Sequence, residues 1–464
     1  MYFSPRPFAD DVGRRRDRER ADTKIITGYL PTIPMIDSTR SDRLSRRRFM
    51  QAAGTGAMLA TAGCTTSVLG SEQNAVVYGD REDTADRYAQ VYNQQTDGTP
   101  IDFTLTDGRY RDIITKVKAG ANVQPLLGLD IVRFAYFSEL EVLRDITDFY
   151  NDLPYTDDFL GSVGELFTTR DGAKRGVPYW IDSSLYFYNK RLFEQAGLDP
   201  ESPPGTWAAF RQALEQLDSQ LDLPRPPLGA AFTTGLVGFL GYPFIWSNGG
   251  RIVNDDETRV LFDERPSIEA LEYWVDINNA GLMTDPLATN WEDWHNMFVN
   301  EQIPIMFTGG LGLSTVQQGN EDLFNNRLGT ALFPKPAGGT RTSFLGGDNL
   351  TITTSATDDE LDTARDFVRW ANTDQGMQTT LELGFLPGRE RGFEVGLATQ
   401  EPYPRLLDAY QKTLENGNTP IYADYEEIDL IITNAWSRAL SGTANPAQAL
   451  RSAAREANTT LMDS

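Results

Sequence analysis

Between residues 75 and 132 the apolar positions switch repeatedly between two periods. Ala75-Val76-Val77-Tyr78 predicts a short strand ending at Gly79-Asp80, and Ala85, Tyr88, Ala89 and Tyr92 then fall on one face of a helix. Ile101 to Leu105 alternates as a strand does. Tyr110 to Lys118 has helical spacing with Gly120 just past its end, and Leu126 to Val132 returns to strand. Such alternation implies a parallel sheet with helices on both faces, whose ligands sit at the carboxyl ends of the strands. The loops to watch are Gly79-Asp80, Thr106 to Arg109, and the segment around Asp130.

Further along, a run from Tyr186 to Ala196 closes at Gly197, and Thr206 is placed to cap a helix carrying Trp207, Phe210, Leu214 and Leu217. Thr357 and Glu360 have capping-box spacing ahead of Leu361, Ala364, Phe367, Val368 and Ala371. Trp291, Trp294, His295 and Phe298 share a helical face, which points to core or cleft-edge packing ahead of ligand stacking. No internal repeat of fixed period is visible.

Charge changes the picture more than length does. The chain of 464 residues carries 66 acidic and 42 basic side chains, a net of −24. The imbalance is divided: residues 1–63 hold 12 basic and 7 acidic residues, a net of +5, and residues 64–464 hold 30 and 59, a net of −29. So acidic a body repels the phosphates that drive nucleic-acid binding, which argues against a DNA or RNA partner. Only 7 of the basic residues are lysine, and an acidic, lysine-poor chain resembles the proteins of extreme halophiles. Cys64 is the sole thiol, so no internal disulfide and no cysteine-based metal site can form. His295 is the sole imidazole, and no G-x-S-x-G elbow accompanies it, which leaves little room for a hydrolase triad.

Ser45-Arg46-Arg47-Arg48-Phe49-Met50, the weakly apolar run Gln51 to Ala62, and Ala62-Gly63-Cys64 follow the order charge, apolar run, small residues, cysteine. The segment looks like a twin-arginine export signal with a lipobox, which makes Cys64 the lipidated first residue of the mature protein. The run is too short to span a bilayer, and Thr65 to Gln73 reads as a polar tether. Residues 1–34 fit no part of that signal, which suits translation starting at Met35 instead of Met1.

Gly176-Val177-Pro178-Tyr179-Trp180-Ile181-Asp182, Leu185 to Phe193 (Leu-Tyr-Phe-Tyr-Asn-Lys-Arg-Leu-Phe), Ala196-Gly197-Leu198 and Pro203 to Trp207 closely resemble the extracellular solute-binding proteins of ABC importers, in the maltose- and trehalose-binding branch. Trp246 to Gly250, Ile303 to Leu311, Leu345-Gly346-Gly347, Phe367 to Asn372 and Gly384 to Arg389 keep the same order, so the resemblance covers nearly all of the mature chain. It implies a periplasmic-binding-protein-like α/β fold: two lobes joined by a hinge crossed three times, near Trp180, Pro304 and Ala371, with ligand in the cleft. Residues 74–180 and 306–371 would then form lobe 1, and 181–305 with 372–464 lobe 2, after the signal (1–63) and the lipidated tether (64–73).

Sugar sites combine carboxylates or amides with flat aromatics. In the resembling proteins an aromatic and an Asp contact sugar at the position of Trp180 and Asp182; packing and a hinge role are the alternatives. Trp180→Ala is accordingly expected to remove most affinity and leave melting nearly unchanged. The resemblance offers Asp130 as a ligand-binding Asp or a turn residue, Trp246 as a stacking aromatic, and Phe244 as a weaker one. Asp80 and Arg109 lie in the strand-end loops, where a surface charge is equally expected. Arg389 reaches the cleft or forms a structural ion pair. Gly309-Gly310 and Gly347-Asp348 stand where the maltose pattern often has aromatics, which implies a smaller or more polar ligand; a Gly-Gly backbone can also donate to an anion such as a glycerol phosphate.

The chain is thus expected to be a monomeric, lipid-anchored binding protein that acts outside the cell without chemistry or cofactor of its own. It would capture a carbohydrate or polyol for ABC permease subunits driven by a cytoplasmic ATPase. A glycan hydrolase using two carboxylates and a glycerol-phosphate binder are the alternatives, and a carboxylate-only calcium site stays open.

Overall fold

The computed structural model describes residues 75–78, 82–106, 110–160 and 163–462. Asp80, Arg109 and Cys64, and with them the export signal and lipidation site, lie outside the described residues. Eleven strands occur among those described: β1 Ala75–Tyr78, β2 Asp102–Leu105, β3 Leu126–Asp130, β4 Val177–Ser183, β5 Leu185–Asn189, β6 Leu228–Gly229, β7 Ile305–Thr308, β8 Leu328–Ala331, β9 Ser343–Ile352, β10 Leu386–Pro387 and β11 Gly417–Asn418. They form a large sheet in the order β10-β4-β9-β3-β1-β2, with β11 beside β9, and a small sheet in the order β6-β7-β5-β8.

The predicted parallel unit is present, since β1 lies parallel to both β2 and β3. Most of the remaining pairings in the large sheet are antiparallel: β9 enters between β3 and β4 and runs against both, β10 runs against β4, and only β11 lies parallel to its neighbour β9. The sheet is therefore mixed. Helices Glu82–Gln95 and Asp358–Ala371 cover it, and Tyr92 packs edge-on against Phe367 and Trp370 at ring distances of 5.3 and 5.4 Å. Thr357 and Glu360 form the expected capping box. The strand expected over Leu126 to Val132 stops at Asp130, whose carboxylate accepts a hydrogen bond from the Val132 N–H at 3.1 Å and starts a short 3-10 turn.

The run from Tyr186 to Ala196 divides at Asn189 into β5 and the helix Lys190–Gln195. Asn189 accepts from the Leu192 N–H at 3.2 Å, capping the helix, and donates to Glu301 at 2.9 Å. Glu301 also receives Arg191 and Arg327. Burial alone would raise its carboxyl, but those donors hold it down at about 2. Tyr188 donates to the Pro200 carbonyl, and Lys190 pairs with Glu201 at 2.7 Å. The most specific stretch of the sequence thus anchors the frame of lobe 2.

Pairing corrects two hinge crossings. The first falls at Ser184, between β4 and β5, close to the expected place. The motif around Pro304, however, forms β7, which pairs with β5 deep in the small sheet. The second crossing therefore lies between β8 and β9, where the Ser184 N–H donates to the Phe344 carbonyl and the Phe344 N–H to the Ser184 hydroxyl. Beyond Ala371, helix Asp374–Glu382 packs on Glu82–Gln95, and β10 pairs with β4, so the third crossing comes after Phe393. Among the described residues, lobe 1 consists of those from 75 to 183 and roughly 344–393, and lobe 2 of 184–343 and roughly 394–462.

Candidate ligand-binding cleft

A chamber of about 370 Å³ lies where the lobes meet. Its lobe 1 wall is a single row across three strands: Asp130 on β3 is directly opposite Asp348 on β9, and Asp348 is opposite Trp180 on β4. Cross-strand partners share a face, so register gathers two carboxylates and an indole on the cleft side. Like charges opposite each other are unfavourable in an antiparallel pair; such a breach of a local rule belongs at a functional site. Gly347 makes the row possible. Its φ is +119°, and a Cβ there would meet the Trp180 carbonyl oxygen at 2.4 Å.

Asp182 also lines the chamber, and its Oδ1 accepts the Ser183 N–H at 2.8 Å and the Gly310 N–H at 2.6 Å. It bridges the lobes across the hinge. Gly309 and Gly310 serve that bridge: a Cβ at Gly309 would meet Asp182 Oδ1 at 2.5 Å. The Gly310 N–H is therefore engaged within the chain instead of offered to an anion. Tyr410 steadies the same turn, donating to the Gly309 carbonyl at 2.7 Å.

Lobe 2 faces this row with Gly235, Leu236, Phe239, Trp291 and Tyr425, and Phe344 adds an aromatic at the hinge. Trp291 stands at the start of the helix Trp291–Val299, after a capping box between Asn290 and Asp293. Its ring stacks on His295 at 4.3 Å and approaches Phe239 at 6.2 Å. His295 is buried; Nδ1 donates to the Trp291 carbonyl at 2.7 Å, which leaves Nε2 to accept from the Thr308 hydroxyl at 2.8 Å. Burial lowers the imidazole to about 4, against the opposing hydrogen bond to Trp291. Gly238 lets Tyr425 approach, since a Cβ there would sit 2.5 Å from the phenol oxygen.

Five sequence candidates therefore converge on the chamber: Asp130, Trp180, Asp182, Gly347 and Asp348. Trp180 is only 2% exposed and packs on Phe385 at 4.2 Å, so it contributes a ring edge while belonging mainly to the lobe 1 core. Its replacement by Ala cannot leave melting unchanged. Phe244 is a correction: it is fully buried in lobe 2 between Trp207, Tyr273, Trp274 and Phe333. Arg389 is another. Its Nε pairs with Asp158 at 2.8 Å, another nitrogen reaches the Asn372 carbonyl, and the guanidinium lies 4.2 Å from the Tyr155 ring centre, away from the chamber. Trp246 stacks behind Phe344 at 6.3 Å and supports a lining residue without lining the chamber itself. Arg133, Leu236, Phe239, Phe344 and Tyr425 were missed because none lies in a motif shared with the resembling proteins. The Gly235 and Gly238 pair before Phe239 was the available signal.

Among the described residues, no group of three or more His, Cys, Asp or Glu side chains could hold a metal ion, and no helix is long and apolar enough to cross a membrane.

Two α/β lobes meeting over such a chamber define a solute-binding protein of the periplasmic-binding fold. The chain belongs to the bacterial extracellular solute-binding protein family, whose model matches residues 87–394. It is similar to a binding protein of Brucella abortus, 24% identical and covering 80% of this chain and 88% of the relative. Among solved structures it resembles the cyclic alpha-maltosyl-1,6-maltose binding protein of Arthrobacter globiformis (25% identity, TM-score 0.65, covering 84% and 99%). It also resembles a Thermotoga lettingae ABC transporter solute-binding protein bound with alpha-D-tagatose (22% identity, TM-score 0.70, covering 83% and 98%).

Proposed function

We propose that this chain captures a neutral, polyhydroxylated solute, a carbohydrate or polyol, in the cleft and delivers it to an ABC permease without chemical conversion. The observation that carries this reading is the row Asp130–Asp348–Trp180 set against Phe239 and Trp291. Carboxylates accept from paired hydroxyls, and aromatic faces cover the weakly apolar side of a sugar ring. The protein acts outside the cell, exported by the twin-arginine route and held at the membrane through lipid on Cys64, as a monomer.

An anionic ligand such as a glycerol phosphate fits the chamber less well. Three carboxylates line it against one guanidinium, that of Arg133, which is paired with Glu426. Isothermal calorimetry at high salt against mono- and disaccharides, sugar alcohols and glycerol 3-phosphate tests the reading. Saccharide or polyol binding without turnover is the expected outcome. Binding of glycerol 3-phosphate alone, or product formation from a glycan, would overturn it.

A further inference from the structure

The central chamber does not end in open solvent on every side. Val132, Arg133 and Tyr425 form its common wall with a second cavity of about 210 Å³, which is also lined by Arg111, Tyr136 and Glu427. Across that wall Arg133 of lobe 1 makes an ion pair with Glu426 of lobe 2. Arg133 is only 14% exposed on its side chain, and its guanidinium lies 5.9 Å from the Tyr110 ring centre. Its Nε–H is buried and makes no hydrogen bond. The chamber it bounds, at about 370 Å³, is near the low end of the roughly 300–1,000 Å³ range of small-molecule sites.

We propose that the Arg133–Glu426 pair is a partition that sets ligand length, restricting the site to a saccharide of one or two rings or the corresponding polyol. The inference rests on the saccharide reading above. The pair joins the lobes only when they are together, so it closes the chamber's end as the ligand is enclosed. A linear trisaccharide would have to displace it to enter the second cavity, taking the Glu426 carboxylate away from the largely buried Arg133 guanidinium, a loss that disfavours the longer ligand.

The test is calorimetry on the full mature chain with mono-, di- and linear trisaccharides of glucose, mannose, galactose, xylose and arabinose. Within the series that binds, the wild-type chain should prefer the shorter members. Glu426→Ala opens the partition without replacing a residue that lines the central chamber, and should raise the trisaccharide-to-monosaccharide affinity ratio about ten-fold or more. Arg133→Met provides a second opening should Glu426→Ala fold poorly, and should move the ratio in the same direction. Glu257→Ala breaks another ion pair between the lobes, Arg170–Glu257 at 2.7 Å, and should leave the ratio within about two-fold. Equal wild-type affinity for short and long members, or an unchanged ratio in both openings, overturns the partition while the saccharide reading stands. A wild-type chain that binds neither a saccharide of this panel nor the corresponding sugar alcohols overturns both.

Discussion

The lobe 1 wall of the cleft is made from adjacent strands of one sheet, whereas the lobe 2 wall is assembled from a turn at Gly235, a helix start at Trp291 and a helix start at Tyr425. On the first wall the strand-borne lining residues are fixed by register, so their positions are shared with the core: Trp180 is both cleft edge and core packing. On the second wall Leu236, Phe239 and Trp291 are only partly buried and are supported from behind, as His295 supports Trp291. The contrast predicts that damage to the strand wall acts on stability first, and damage to the helical wall on affinity first.

The sharpest way to break that contrast is a pair of tryptophan truncations. Trp180→Ala should cost about 3–5 kcal/mol of unfolding free energy, as large-to-small changes of buried aromatics do. Trp291→Ala, half-buried and at a helix start, should cost much less stability but weaken saccharide binding measurably. Denaturant unfolding and calorimetry on both variants decide it. Equal losses of stability would mean that the two walls are built alike.

A second test uses pH and applies to the support behind Trp291. The His295 imidazole titrates near 6.5 when exposed and near 4 in the folded chain. Between those values the unfolded chain binds the additional proton, so this contribution is complete above about pH 6.5 and is lost as pH falls toward 4. The gap corresponds to about 3 kcal/mol. Unfolding followed between pH 6.5 and 5, above the range where most carboxylates titrate, should show the decline in the wild type and a shallower one in His295→Gln. Parallel slopes would remove the argument.

Gly347→Ala is expected to have a smaller but distinct effect. A positive φ held by a residue with a Cβ costs about 1–3 kcal/mol, and this Cβ would press on the Trp180 carbonyl. Stability and affinity should fall together, because the glycine positions both Trp180 and Asp348. Loss of one without the other, in paired unfolding and calorimetry, would show that the row is not a unit.

These contrasts also explain what the sequence made legible. Strand-borne residues could be read because period-2 alternation fixes faces, and the ends of strands are where α/β sheets place ligands; the segment around Asp130 follows from that rule, whereas Asp182 rests on the resemblance. The hinge could not be read as well. Nothing local distinguishes β7 as a small-sheet strand from a crossing, because its neighbour β5 is more than a hundred residues away. Phe244 and Trp246, two positions apart on the helix Tyr242–Ser247, illustrate the same limit: helical geometry turns them to different sides, one into the core and one toward Phe344. Tyr425 and Phe239 depend on tertiary approach past Gly238, a contact with no local periodicity.

The smallest expected effect concerns the paired carboxylates. Asp130 and Asp348 are direct cross-strand partners, and like charges so placed destabilise by about 0.2–1 kcal/mol. Asp130→Asn keeps the size of the side chain and the oxygen that accepts from the Val132 N–H, but removes one charge. Urea unfolding at low salt should therefore show a small gain in stability, and the gain should shrink in molar salt, where screening already suppresses the repulsion. Affinity for the saccharide should fall at the same time, since a neutral amide oxygen accepts a hydroxyl less strongly than a carboxylate does. A gain in stability joined to a loss of affinity is what repulsion maintained for a ligand requires. Unchanged affinity would mean that Asp130 only starts the turn after β3, and the strand wall would then present one ligand carboxylate in its row instead of two.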